Sequence, residues 1–278
     1  MNHQSLILLI AVVSFTACEK NDTTTTATET AVVTGYLYAG QPCDSIHLTK
    51  AISYNGADST AVAITGLDVW LSDGTLSYPL TASSEGYYAS AELTIKSGET
   101  YTLQFDYQGK LVTASTFVPW KKEATISDTL IQMERITNGS FPPMGGGQPG
   151  SEDAIEISWD NSEGDYYYVV VQNMETDPDY INAFFAAQDT LFPQNRNFRF
   201  ISSPGIIDYY NIDPNREIRQ FGTHRVIVFR VNPEYAALYN VSDVSSQNIT
   251  EPPSNVENGL GILTGIASDT LFFEVQEQ

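Results

Sequence analysis

The sequence predicts an all-β fold made of two β-sandwich domains, and three observations carry that expectation. Short runs of alternating apolar and polar residues recur from residue 31 onward. Turn dipeptides such as Asp73-Gly74 and Gln108-Gly109 separate those runs at the spacing of sandwich strands. Between the halves lies Val118-Pro119-Trp120-Lys121-Lys122, where a proline stops a strand and two lysines favour an exposed connection.

The chain opens with seventeen residues that carry no Lys, Arg, Asp or Glu. Their apolar run, LILLIAVV at residues 6–13, is too short to span a hydrocarbon core roughly 30 Å thick. Residues 1–17 therefore read as a signal peptide. The small residues just before Cys18 resemble a bacterial lipobox, in which the cysteine receives a diacylglyceryl thioether and becomes the mature N-terminus. Two or three acyl chains, each contributing roughly 0.8 kcal/mol per buried methylene, hold such a terminus in a bilayer. Residues 18–30, with their Thr run and no large apolar side chain, cannot bury enough surface to offset ordering entropy. A flexible tether is expected there.

Residues 31–119 form the first expected sandwich. Ile46 and Leu48 alternate with Ser45, His47 and Thr49, and Leu67, Val69 and Leu71 alternate with Asp68, Trp70 and Ser72. A period of two gives each strand one buried face. About seven strands result, enough for an Ig-like or transthyretin-like sandwich. Gly86-Tyr87-Tyr88 and the later SGETYTL stretch are similar to a pattern of carboxypeptidase-regulatory-like modules, where a glycine turn feeds a strand whose tyrosine packs near the sandwich rim.

Residues 120–278 form the second expected domain, fibronectin-III-like with one or two short helices. Trp120 is expected to wedge between the two domains. Ile155, Ile157 and Trp159 alternate with Glu156, Ser158 and Asp160, which places Trp159 in the core. Residues 166–171, YYYVVV, lack alternation, as in a strand covered on both faces. Asp177-Pro178 predicts a helix to about residue 187, and Asn232-Pro233 a shorter one to residue 239. A long strand is expected over 219–231 and a closing strand over 270–275. The Gly- and Pro-rich residues 138–150 read as a mobile surface insertion.

Charge narrows the function. Thirteen Lys and Arg face 34 Asp and Glu, a net charge of -21, which opposes binding to nucleic acid or unaided binding to anionic lipid. With Cys18 acylated, Cys43 has no disulfide partner. His47 and His224 stand in no metal-ligand spacing and read as surface or turn residues. No nucleophile elbow, phosphate loop or dinucleotide fingerprint occurs, and no cofactor is implied. The loop from Asp160 to Asp165 offers oxygen ligands around Gly164, an arrangement shared by calcium loops and by plain solvated hairpins.

Three further features are candidates for contact or modification. Trp70 can stack on a sugar, cover the second face of its sheet or meet the other domain. Asp followed by Ser or Thr recurs along the chain, and this resembles an O-glycosylation acceptor motif of exported Bacteroidota proteins, chiefly at Thr23 and Ser59. The same pattern arises wherever an Asp turn precedes a Thr-rich strand.

The stretches VVTGYLYAG, DSIHLTKAISY, AIEISWDNSEGDYYYVVV, QFGTHRVIVFRVNPEYAALY and PPSNVENGLGILTG, taken in order behind the lipobox, resemble the Bacteroidota lipoprotein family called domain of unknown function 4249. The resemblance implies a lipid-anchored protein of the outer membrane, facing the cell surface and assisting a TonB-dependent receptor. It brings no catalytic residues. Its late glycine-rich segment maps to Asn255, Asn258, Gly259, Gly261 and Gly265, whose glycines permit turns against a neighbouring surface, and contact with a ligand or partner is expected at Asn255, Gly259 and Gly261 as well as at Trp70. A non-enzymatic ligand-binding or capping protein is the leading expectation. An adhesin or fimbrial matrix subunit is the alternative, and a glycan hydrolase with two paired carboxylates is a third. Intact-mass measurement of the protein from a lipoprotein-acylating host is expected to show an acylated N-terminal Cys18, and Cys18→Ser is expected to release it from membranes. An unmodified terminus at another residue would refute the anchor.

Overall fold

The computed structural model describes residues 29–52, 60–137, 154–186, 198–239 and 253–278. Among the described residues the fold is all-β, with a few short helical stretches. In β1 (Ala31–Tyr38) and β2 (Pro42–Lys50) alternate side chains are buried, and the two pair antiparallel with Val33 opposite Leu48. β2 continues to β5 (Tyr87–Thr94), which pairs with β4 (Ser77–Ala82). From β4 the path runs through β3 (Val69–Ser72) and β6 (Thr100–Tyr107) to β7 (Lys110–Phe117). Both expected hairpins form. Asp73 accepts from the amides of Thr75 and Leu76, while Gln108 (φ 52°) and Gly109 (φ 74°) supply the paired left-handed residues of a two-residue turn.

Inward residues of β1, β2 and β5, including Leu37, Ile46 and Tyr88, share one core with Leu71, Leu103, Phe105 and Val112 of β3, β6 and β7. The two tyrosines that follow glycine turns are fully packed. Tyr88 donates to the Ile64 carbonyl and accepts from the Leu67 amide, and Tyr101 accepts from the Lys96 amide. Just ahead of β1, Glu29 pairs with Lys50 at 2.9 Å and accepts from the Tyr107 hydroxyl at 3.0 Å.

A second core lies under a three-stranded sheet of β8 (Ala124–Ile126), β10 (Ile155–Trp159) and β13 (Tyr209–Ile212). Its Ile155, Ile157, Trp159 and Ile212 pack on Tyr167, Val169 and Val171 of β11 (Tyr166–Asn173) and on Val226 and Val228 of β14 (Gly222–Val231). The alternate β11 residues Tyr168 and Val170 are buried in a third cluster on the opposite face, so the strand is covered on both sides as its sequence predicts. β12 (Arg199–Ile201) flanks β11, and β9 (Leu130–Met133) flanks the C-terminal strand.

That strand, β16 (Leu260–Glu277), is 18 residues long and begins ten positions before the expected closing strand. It runs parallel to β1 from Leu260 to Ile266, then antiparallel to β14 from Ile266 to Val275. The two-residue β15 (Val256–Glu257) pairs with β7. Pro119 thus ends a run of strands without separating their pairing, and Leu263 and Val256 complete the first core.

Other expectations change for local reasons. Residues 177–181 are not helical: the Asp179 carbonyl accepts from Phe221 and the Ile181 amide donates to Arg219, so this backbone is spent on the neighbouring loop. Helix starts only at residue 183, where Asn182 accepts from the Phe184 amide. Asp213-Pro214 opens an unanticipated α1 (Pro214–Glu217), and Asn232-Pro233 opens α2 (Pro233–Ala237) as expected. Trp120 is 61 % exposed and lies across Gly98, where a Cβ would meet its ring at 2.0 Å, instead of wedging inside. Residues 138–150 lie outside the described residues.

Gly265 lets β16 pass β7, because a Cβ there would stand 2.3 Å from the Phe117 carbonyl oxygen. Gly265→Ala is expected to lower stability by about 3 kcal/mol or more, read from the denaturant midpoint. Gly74→Ala, at φ +85° with open space around it, is expected to lower it by about 1 kcal/mol.

Candidate interaction surfaces

Four strands turn one face outward beyond the second core. Because directly paired residues project to the same side, the register builds rows across β12, β11, β14 and β16. Arg199, Gln172, Arg225 and Phe272 form the first row; Ile201, Val170, Ile227 and Thr270 the second. Tyr168, Phe229 and Ser268 follow, then Tyr166, Val231 and Ile266, with Tyr38 of β1 beside Ile266. No Asp or Glu occupies any of these positions, in a chain with 34 of them. Phe272 and Ile201 are about half exposed, at 53 % and 46 %.

One end of this face is roofed by tyrosines. Phe229 stacks on Tyr168 (4.7 Å), Tyr168 on Tyr235 of α2 (5.5 Å), and Tyr235 leans on Tyr239 (5.5 Å), with Tyr36 edge-on to Tyr235. Burial pushes the Tyr168 phenol up to about 12 and raises those of Tyr36, Tyr38 and Tyr235, so these hydroxyls stay neutral. Asn232 fixes α2 in place by donating to Phe117 O and Thr116 Oγ1, and Glu234 accepts from Thr116. In β1, Tyr36 and Tyr38 are half-buried and alternate with the buried Gly35 and Leu37. Nothing in the sequence paired them with Tyr235 across two hundred residues.

The acidic loop from Asp160 to Asp165 meets cations of the chain itself. Lys122 pairs with Asp160 (3.0 Å) and Glu163 (3.3 Å), and Arg230 pairs with Glu163 and Asp165 while donating to the Trp120 carbonyl. These cations hold the carboxyls of Asp160 and Glu163 below their usual range. Asn161 closes the loop through the Asp165 amide and carbonyl. The loop is no hairpin, because β10 and β11 belong to different sheets; it is a crossing between them, pinned to β14 and to the connection after Pro119.

The histidines, Cys43, the late glycines and Trp70 each have a defined place in the fold. His224 is buried against Phe273, its Nδ1 bonded to the Gly222 carbonyl, and burial pulls its pKa down to about 4; it is no surface residue. His47 keeps to the polar side of β2, stacked on Tyr87. Cys43 is a core residue whose thiol burial pushes up to about 12. Asn255 is spent inside the fold, exchanging two hydrogen bonds with Leu263. Gly261, at φ +95°, brings β16 against Val33, and Gly259 closes on Val256 and Ala31. Trp70 belongs to neither core and points outward from β3, 39 % exposed. Cys18, Thr23 and Ser59 lie outside the described residues.

Across residues 20–271 the chain matches the model of a family described as "Domain of unknown function (DUF4249)". The chain belongs to this family. No curated protein matches it. Among the described residues of this family member, no helix is long and apolar enough to cross a membrane.

Glu217 of α1 is buried, and desolvation raises its carboxyl to about 7 although the Tyr210 hydroxyl, at 2.6 Å, and the Asp213 backbone favour the ionised form. The folded state therefore holds a proton that the unfolded chain releases near pH 4.5. This contribution is full at low pH and is lost as pH rises from about 4.5 through 7. Glu217→Gln is expected to stabilise the protein at pH 8 relative to wild type by about 2 kcal/mol, with the gain vanishing near pH 4. Denaturant midpoints across pH 4–8 measure it.

Proposed function

We propose that this protein is a non-enzymatic outer-membrane lipoprotein, anchored through Cys18 at the cell surface, that acts as an accessory ligand-binding or capping partner of a TonB-dependent receptor. The observation that carries the reading is the acid-free outward face of β12, β11, β14 and β16. Its exposed apolar part, Phe272 and Ile201 with the half-buried Ile227 between them, adjoins the tyrosines roofed by α2, and an acid-free patch of this kind on a chain of charge -21 suits a macromolecular partner. The apolar run ahead of Cys18 and the Thr-rich tract behind it support an anchor followed by a tether.

Affinity purification of tagged protein from detergent-solubilised outer membranes of its native host is the test. Recovery with a large β-barrel receptor, identified by mass spectrometry, is expected. Ile227→Asp and Phe272→Asp are expected to abolish that recovery while leaving the melting curve close to wild type for the half-exposed Phe272. Isolation only as a free species, or recovery with fimbrial subunits instead of a barrel, would overturn the reading.

A further inference from the structure

β4, β3, β6 and β7 present a different outward face, centred on Trp70. The register sets Pro79, Trp70, Gln104 and Thr113 side by side across the four strands. The next row is Ser77, Ser72, Thr102 and Ser115. Trp70 thus lies between Pro79 and Gln104, about 5 Å away in the hydrogen-bonding direction, with Ser72 and Asp68 about 7 Å away along its own chain. None of the eight side chains in the two rows is charged. Carboxylates flank the rows at one end, where Asp68 is two residues before Trp70 and Asp106 two residues after Gln104, and at one side, where Glu257 of β15 accepts from Thr113.

That combination selects a ligand chemistry. A pyranose ring offers an apolar C–H face, which an indole buries, and an edge of hydroxyls that both donate and accept. Ser, Thr and Gln also do both, whereas a carboxylate only accepts. A polyanionic glycan is repelled by the charge of the chain, to which Asp68, Asp106 and Glu257 add locally. An apolar protein partner needs a contiguous apolar patch, and these rows hold one large ring among hydroxyls. We propose that the Trp70 face binds a neutral oligo- or polysaccharide, with Trp70 as the stacking platform and Gln104 and Thr102 as the flanking hydrogen-bonding groups. The inference goes beyond the receptor reading and does not depend on it, because the face proposed for the receptor lies on other strands.

Electrophoresis of the purified mature chain through native gels containing soluble neutral polysaccharides (β-glucan, α-glucan, mannan, xylan and galactan), with polygalacturonate as the anionic comparator, tests it. Retardation by at least one neutral polymer is expected, with none by polygalacturonate. Trp70→Ala is expected to weaken that binding about tenfold or more, Gln104→Ala by less, and Trp70→Phe to retain part of it. Phe272→Asp, on the other face, is expected to bind like wild type. Retardation by none of the neutral polymers, by polygalacturonate alone, or equally by Trp70→Ala would overturn the proposal. Receptor recovery with Trp70→Ala is expected to be unchanged, so loss of glycan binding and loss of the receptor are read separately.

Discussion

One strand holds the molecule together. β16 hydrogen-bonds to β1 with its first residues and to β14 with its last, so a single extended backbone belongs to both cores. Two close backbone approaches allow this: Gly261 against Val33 and Gly265 against Phe117, where any side chain would overlap a carbonyl. Asn255 then satisfies the Leu263 amide and carbonyl beside the crossing, and Thr116 Oγ1 accepts from the Gly265 amide. Backbone groups brought this close cannot be left unpaired, and these side chains pair them.

Charge is distributed to match. Many of the chain's few cations serve internal joints. Lys121 pairs with Asp269, Lys122 and Arg230 gather the 160–165 loop, and Arg135 clamps Asp179 to Glu277 while lying over Phe221. Arg199 and Arg225 border the acid-free face instead, and Arg225 is held by Gln172. Around the Trp70 rows, Asp68 and Asp106 stand at one end and Glu257 at one side. The two surfaces differ in kind, one aliphatic and aromatic, the other an indole among neutral hydroxyls.

Local patterns made much of this legible. Alternation placed Ile46, Leu71 and Trp159 inside, YYYVVV announced a strand covered on both faces, and Asp73-Gly74 and Gln108-Gly109 marked their turns, while the place of Trp70 was left open among three readings. The helix at Asn232-Pro233 forms with proline at its first turn, although the Asn232 side chain is spent on Thr116 and Phe117 and not on a cap; the one at Asp177-Pro178 fails, because the Asp179 and Ile181 backbone groups found partners forty residues away that no local signal names. The reading of β16 stopped short for a related reason. Its glycines look like turn residues, yet they mark where another backbone comes close within an extended strand. Likewise the tyrosine roof depends on residues from β1, β11 and α2 meeting, which period and propensity do not encode.

The pairing of Glu29 with Lys50 and Tyr107 sits at the doorway of β1, whose strand is flanked by β16 on one side and β2 on the other. Any pull on the chain ahead of Ala31 is therefore directed along the strand, where its flanking ladders resist as a group in shear instead of opening one rung after another. A body hung by that end in moving fluid would have its load shared across the long C-terminal strand, and the rest of the fold would feel little of it.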